Sequence, residues 1–471
     1  MEDRKMTAYC REKILVENGN SKLLSWCEDN WTIPNPDYYK RQAMGKWTGG
    51  TPEFYHLYET VGDKLMLPFG CARRLWEAFG QEMRFKPLYE PLRAIDYKSG
   101  IVLYPYQEKA VRAAYGFKNG VIVMPCGAGK TQTALELVAR IGGRCLWLTH
   151  TQDLLNQSMS RAKSVLGVDF GTYGTITGGK VRIGSGITFA TVQTMCKIDL
   201  AAHCNDWDVI IVDECHKAVG SPTRMMQFYK VLSGLSCRYK FGLTATPKRA
   251  DGLEKSMFAL LGDVVYEVSR DEVADTTCPV KVEQIRTGYM PDLDSVLAGD
   301  GTINYSALVD DLTHDEKRFD CVAYKIETAI MSCGGHTLVL ANRVEYLERL
   351  KAELARNNIP AVCLSTMGTS KAAKEMRKDT LRKLNNGEVA CVLATYQLAK
   401  EGLDVPSLRY VVFATPEKDS TTIQQASGRV GRKADGKVCG TVLDFVDSFG
   451  MLQGWAKKRV RYYKKLNYEI L

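Results

Sequence analysis

Val121-Ile-Val-Met-Pro-Cys-Gly-Ala-Gly-Lys-Thr131 decides the fold of this chain. Its apolar run, Val121 to Met124, reads as a buried strand. Thr133 to Ile141, apolar at Ala134, Leu135 and Val138, reads as a helix. Between them lies a glycine turn that ends in Lys130 and Thr131. Backbone N–H groups at such a turn can converge on one anion because no side chains intervene, and the helix N-terminus adds partial positive charge. Lys130 supplies a full charge, and Thr131 offers a hydroxyl to a Mg²⁺ between phosphates. The stretch is a phosphate cradle, with Cys126, Gly127, Ala128, Gly129, Lys130 and Thr131 as nucleotide-holding residues. Met124 stands where the general P-loop pattern has a glycine, so only a shortened pattern, Gly127 to Thr131, is present.

Outward from the cradle, short apolar strands alternate with amphipathic helices. Strands are expected at Val121–Met124, Cys145–Thr149, Ile187–Ala190, Val209–Val212 and Tyr239–Leu243, which implies a parallel sheet with helices on both faces. Glycines at 174, 178, 179, 184 and 186 predict turns and a hairpin. Near Leu261–Val265 the first lobe finishes, and a connecting stretch runs through Pro279 and Pro291–Thr302. The alternation then restarts. Thr313-His-Asp-Glu316 reads as a capping box opening a helix with Phe319, Val322, Ile326 and Ile330 on one face. Strands follow at Thr337–Ala341, Ala361–Leu364, Ala390–Ala394, Tyr410–Ala414 and Thr441–Phe445. The fold class is α/β: tandem parallel-sheet lobes at 99–275 and 276–471 behind a small α+β accessory domain at 1–98. That domain holds 15 of the chain's 44 aromatic residues, which either form its core or, at positions such as Trp47 and Tyr55, stack on bases or wedge a junction.

With 471 residues the chain exceeds one core, and 25% charged with 45% hydrophobic residues excludes wholesale disorder. A net charge of +9 permits a polyanionic partner without demanding one. Fifteen cysteines without a C-x-x-C pair argue for a reducing compartment and against structural zinc or a disulfide framework. The N-terminus reads as no signal peptide and no apolar run reaches membrane-spanning length, so a soluble, monomeric, cytoplasmic protein is expected. The tail, Trp455 to Lys465, places six basic residues and three aromatics in eleven positions, as a solvated helix or one that tracks phosphates.

Val209-Ile-Ile-Val-Asp-Glu-Cys-His216 is the second anchor. An apolar strand ends in two carboxylates at the sheet edge where ligands of such folds bind. Asp213 can hold the Mg²⁺, and Glu214 can orient and deprotonate an attacking water. The Asp-Glu-Cys-His box resembles those of superfamily 2 helicases and translocases, whose phosphate loop lacks the first glycine. The resemblance implies RecA-like lobes and runs in order over residues 100 to 450. Leu103-Tyr-Pro-Tyr-Gln107 looks like the adenine-reading segment, with Gln107 matching and Tyr104 in place of an arginine. Thr149-His-Thr-Gln152 and Ala190-Thr-Val-Gln193 resemble strand-contacting motifs, which implies nucleic-acid contacts by Thr149, Thr151, Gln152, Thr191 and Gln193. Gly242-Leu-Thr-Ala-Thr-Pro247 resembles the coupling motif, with Thr244, Thr246 and His216 as its residues. In the second lobe, Leu340-Ala-Asn-Arg343 and Thr395 to Pro406 resemble later motifs, implying roles for Arg343 and Thr395 on nucleic acid and for Gly402 and Asp404 at the nucleotide. Gln425-Ala-Ser-Gly-Arg-Val-Gly-Arg432 fits the sixth motif in full. On a helix, Arg429 and Arg432 would share nearly one face with Gln425 and stabilise charge on the γ-phosphate, Arg432 as the finger and Arg429 as its partner.

The implied mechanism is a motor in which ATP, with Mg²⁺, draws two lobes together along a nucleic-acid strand. The Pro-Tyr-Gln, DExH and Thr-Ala-Thr-Pro set is most similar to the branch containing XPB, phage UvsW and restriction-enzyme motors. It implies forked, branched or single-stranded DNA as partner and 3′ to 5′ movement. An RNA helicase, a duplex translocase that leaves strands paired, and an ATP-gated clamp are the other readings.

Overall fold

The computed structural model describes residues 5–125, 127–167, 171–249, 251–269, 271–334, 336–365, 370–400 and 405–471. Two compact units divide the chain, one of residues up to 125 with 129–269, the other of 126–128 with 270–471. Among the described residues no helix is long and apolar enough to cross a membrane.

The first unit is built on an eight-stranded sheet. Its order is Lys180–Arg182, Tyr173–Thr177, Ile187–Thr191, Cys145–Thr149, Val209–Asp213, Tyr239–Thr244, Asn119–Val123, Val264–Glu267. Every neighbouring pair is parallel except the hairpin of Tyr173–Thr177 with Lys180–Arg182, where the glycine-rich stretch predicted one. The central strands are buried at every position, as a sheet covered on both faces requires, and this is why they stand out as uninterrupted apolar runs. A parallel sheet points all its strand C-termini to one edge, so the loops after Val123, Thr149, Thr191, Asp213 and Thr244 share that edge.

The N-terminal segment belongs to this unit. It forms a five-stranded sheet, ordered Glu59–Val61, Lys64–Pro68, Lys13–Glu17, Met6–Cys10, Met83–Pro87, with helices Ser21–Trp31 and Ala72–Phe79. Its core takes in Trp31 and Tyr55 and is completed by Val219, Leu253 and Ala259 from the larger sheet's layer. Gly70 lies directly on the backbone of Phe258, Ala259 and Gly262, where any Cβ would collide. Beside it, Arg74 grips Asp263 through both carboxylate oxygens, Nε to Oδ2 at 2.8 Å. Tyr55 is therefore a core residue, with its hydroxyl on Arg224, whereas Trp47 is 79% exposed.

In the second unit seven strands pair in parallel, ordered Ala361–Cys363, Cys391–Thr395, Thr337–Ala341, Tyr410–Phe413, Gly440–Val446, Val280–Arg286, Glu469–Ile470. Two differences from expectation have physical causes. Thr313 caps nothing: it closes a helix of its own, Tyr305–His314, and Asp315 caps the next, Glu316–Cys333, by accepting from Arg318 N at 2.7 Å. Val280–Arg286, in the expected connecting stretch, is a sheet strand, half-buried in alternation because its outer neighbour is only two residues long.

Arg318 is fully buried on the new helix. It donates to Asp447 Oδ1 at 2.7 Å and Ala414 O at 2.9 Å, while Thr287 Oγ1 donates to the same carboxylate at 2.6 Å. Removing one partner of such a pair strands the other charge. Arg318→Ala is expected to lower stability by about 3–5 kcal/mol, read as a fall in the urea midpoint.

Candidate active site

The cradle forms where the sequence places it. Asn119–Val123 leads into Met124, whose N–H donates to Thr244 O at 2.9 Å, and the helix Lys130–Ile141 begins after Gly129. Gly127 and Gly129 have φ of +85° and +78°, a left-handed backbone that L side chains rarely adopt. A Cβ at Gly129 would also collide with the amide nitrogen of Gln107. Gln107, 2% exposed, opens the helix Pro105–Phe117 and accepts from Tyr104 N at 3.0 Å. Glycine at both positions thus leaves the turn's backbone amides uncovered by side chains, as anion binding by such a turn requires. Ala128 is buried and Lys130 and Thr131 are half-buried. Cys126 lies outside the described residues, as do Gly402 and Asp404.

Asp213 ends the strand Val209–Asp213, two places from the cradle strand in the sheet. Its Oδ1 accepts from Glu214 N at 3.0 Å. Glu214 itself adopts φ +50°, an uncommon left-handed conformation for a residue with a side chain, and one that turns the chain directly after the strand. Burial, and then the charge of Glu214, push Asp213 up to about 7. Burial also opposes ionisation of Glu214, but the Lys130 ammonium and His216 outweigh it and hold that carboxyl at about 2. Two carboxyls this close and this buried oppose each other's ionisation, and the Lys130 ammonium offsets that for both. Among the described residues no group of three or more His, Cys, Asp and Glu could hold a metal. The donors here are one carboxylate, Asp213, and one hydroxyl, Thr131, a set that suits a Mg²⁺ sharing its remaining positions with phosphates and water.

From Glu214 a polar run leads along the edge. Glu214 Oε2 lies 3.4 Å from His216 Nδ1, which is 3.2 Å from Thr244 Oγ1. Thr246 N donates to that oxygen at 3.1 Å, and Arg249 donates to His216 O. On the other side, Val212 pairs with Leu148, and two residues further along each strand His150 and Glu214 are close enough to feel each other's charge. His150 is half-buried, its Nδ1 has no hydrogen-bond partner among the described residues, and burial followed by Lys217 depresses it to about 4. Its carbonyl accepts from Gln193 Nε2 at 2.8 Å. Neither His150 nor Arg249 was singled out from sequence. The signal for His150 was available: a titratable residue one step past a strand that neighbours the Asp-Glu strand.

Of the residues expected on nucleic acid, Thr149 and Thr191 are buried. Thr149 Oγ1 donates to Thr151 O at 3.0 Å and Thr191 Oγ1 to Thr194 Oγ1 at 3.1 Å, so both brace their loops. Thr151, half-buried, caps the helix Gln152–Val165; Gln152 pairs with Asn156 and Thr177; Gln193 is exposed.

The second unit carries the remaining candidates. Arg343 Nε donates to Asp310 Oδ1 at 2.7 Å and its Nη2 to Ser306 Oγ at 2.8 Å. Thr395, half-buried, ends its strand and donates its N–H to Ser365 Oγ at 2.8 Å. The sixth motif departs from expectation. Its helix, Ser420–Ser427, carries Gln425 but stops before Gly428, and Arg429 and Arg432 follow on successive turns instead of one helical face. Arg429 is buried and donates to Ala399 O; Arg432 is half-buried.

Comparison with known proteins identifies the family and the fold. The family model "Type III restriction enzyme, res subunit" matches residues 100–249 and "Helicase conserved C-terminal domain" matches 321–434, together more than half of the chain. The chain is 26% identical over 376 residues to "Putative ATP-dependent RNA helicase L396" of Acanthamoeba polyphaga mimivirus, covering 78% of this chain and 69% of the relative. It is 27% identical over 365 residues to "DNA 3'-5' translocase XPB2" of Sulfurisphaera tokodaii, covering 72% and 80%. In fold it is similar to S. cerevisiae Dbp5 bound to RNA and ADP BeF3, with a TM-score of 0.55, 15% identity and coverage of 78% and 90%. The chain belongs to superfamily 2 of the helicases and is an ATP-hydrolysing nucleic-acid helicase with XPB-like relatives.

Gly129→Ala is expected to weaken ATP binding by about tenfold or more, because it forces an L residue into left-handed backbone and displaces Gln107. Titration with a fluorescent ATP analogue, beside a thermal melt that confirms folding, measures it.

Proposed function

We propose that this superfamily 2 helicase is an ATP-driven DNA motor that unwinds or remodels forked and branched DNA, acting as a monomer and moving 3′ to 5′. The observation that carries the motor reading is the polar run from Glu214 through His216 to Thr244 and Thr246. It joins a carboxylate suited to activating water with the segment that resembles the family's coupling motif. The DNA and polarity reading draws its support from the name of the S. tokodaii relative. An RNA helicase is the second reading, favoured by the name of the mimivirus relative.

Bound ATP supplies the phosphoanhydride, with Mg²⁺ neutralising charge between its phosphates. The glycine cradle orients the phosphates by backbone amides, with Lys130 as counter-charge. Asp213 and Thr131 would hold the metal. Glu214, ionised at neutral pH, takes a proton from the attacking water at its carboxylate. Arg432 is the finger that meets charge on the γ-phosphate, and Arg429, tied to Ala399 O, holds the turn that presents it. Gln425 orients the water or phosphate beside them, and Gln107 reads the adenine. On the strand, contact falls to Thr151, Gln152, Gln193, Arg343 and Thr395, with Thr149 and Thr191 as braces. Residues 1–98 act as a domain that rides on the first lobe, and Trp47 is its wedge.

Lys130→Ala and Glu214→Gln should each cut ATP turnover by about 10²-fold or more, the second with ATP binding retained. The decisive assay compares ATPase and strand separation on single-stranded, duplex, forked and Holliday-type DNA and on RNA, with Lys130→Ala as control. Stimulation by RNA alone would replace the DNA reading with its rival. Trp47→Ala should slow strand separation on forks about fivefold or more, and unchanged unwinding removes the wedge.

A further inference from the structure

The C-terminal helix, Gly450–Lys465, is basic on one face only. Leu452, Trp455, Ala456, Arg459 and Tyr463 are buried, Tyr463 in the core of the second unit's sheet and Leu452 and Trp455 with Tyr289, Val296, Leu308 and Leu312. Arg459 anchors the helix: its Nε donates to Asp444 Oδ1 at 2.8 Å and its two terminal nitrogens to Glu417 O and Phe445 O, each at 3.1 Å. The other five cations of the tail, Lys457, Lys458, Arg461, Lys464 and Lys465, are exposed. At 3.6 residues per turn they occupy an arc of about 120°, diametrically opposite the buried face. The aromatic residues of the tail pack inward and leave the face to charge alone.

On other helices of the chain cations meet carboxylates four residues away, as in Arg73 with Glu77, Arg140 with Glu136 and Lys383 with Asp379. Gly450–Lys465 contains no Asp or Glu, and none of the five cations pairs with a described carboxylate. Arg461 instead has like charges at both three- and four-residue spacing, Lys458 and Lys464 at three, Lys457 and Lys465 at four, an arrangement that weakens a helix unless an anion lies over it. The helix C-terminus favours Lys464 and Lys465, but not the three cations a turn or more earlier.

We infer that this face binds the phosphate backbone of double-stranded DNA. Lys457, Arg461 and Lys464 form one row about 10 Å long, and Lys458 and Lys465 a second beside it. Two rows suit two backbones flanking a groove; a single strand would need one. With no side chain but lysine and arginine available, the contact is blind to base sequence, as a motor's grip on the duplex ahead of or behind it must be. The inference rests on the nucleic-acid reading above and adds a site in the second lobe outside every helicase motif.

The test is fluorescence anisotropy over a range of salt, with duplex DNA, single-stranded DNA and duplex RNA as probes. It compares the wild-type chain with a variant carrying Lys457→Gln, Lys458→Gln, Arg461→Gln, Lys464→Gln and Lys465→Gln, and with one carrying the four lysines as arginine. The glutamine variant is expected to bind duplex DNA about tenfold or more weakly at 0.1 M salt, with a log–log salt slope shallower by about 3 or more. Single-strand binding and the melting temperature should hold, and the arginine variant should bind as wild type. An unchanged duplex slope overturns the inference while leaving the motor standing, as does an equal loss on single strands or a loss confined to RNA. A wild-type chain that binds none of the probes overturns both.

Discussion

Two adjacent carboxylates at the buried end of an apolar strand are costly unless positive charge meets them, and the first lobe is arranged around that requirement. Lys130 supplies that charge from the helix after the cradle, and His216, in the turn after Glu214, lies 3.4 Å from that carboxylate. Burial and mutual repulsion raise the carboxyl of Asp213, while Lys130 favours the charged form of both acids. The parallel sheet makes this meeting of charges possible, because only parallel strands deliver the cradle, the acids and their cations to one edge from stretches far apart in the chain.

The same edge explains how events at the nucleotide could be felt elsewhere. His216 is shared between Glu214 and Thr244, and Thr244 accepts from Thr246, so the position of the acid and the conformation of the segment after Tyr239–Thr244 are not independent. On the opposite side His150 feels the charge of Glu214, and its carbonyl is tied to Gln193. A displacement of either loop alters the surroundings of one carboxylate. Such sharing of a few polar atoms by several loops is a short physical route for coupling, requiring no rearrangement of the core.

Much of this was legible from residues alone, for a specific reason. Strands such as Cys145–Thr149 and Thr337–Ala341 are buried on both faces and appear as unbroken apolar runs, so their positions could be read directly. Val264–Glu267 and Val280–Arg286 lie at or near sheet margins, bury fewer positions, and blend into the polar background. Cradle and acids announce themselves because glycine, lysine and paired carboxylates have few other reasons to follow apolar strands. His150 and Arg249 do not, since their places depend on strand register and on a loop that returns to His216. Helix ends were the weakest point: Asp315 displaced Thr313 as a cap, and Gly428 ended the helix expected to carry Arg429 and Arg432.

The N-terminal sheet shares its core with Val219, Leu253 and Ala259, and its first strand, Met6–Cys10, pairs in parallel with Met83–Pro87. During synthesis this segment emerges before the part of the first lobe that completes its core. Most of that core comes from the segment itself, but its last members, and the helix end on which Gly70 and Arg74 are seated, are made only later. The final packing of the N-terminal sheet therefore waits on a part of the first lobe encoded well after it, and the closing of that seam runs against the order of the genetic message.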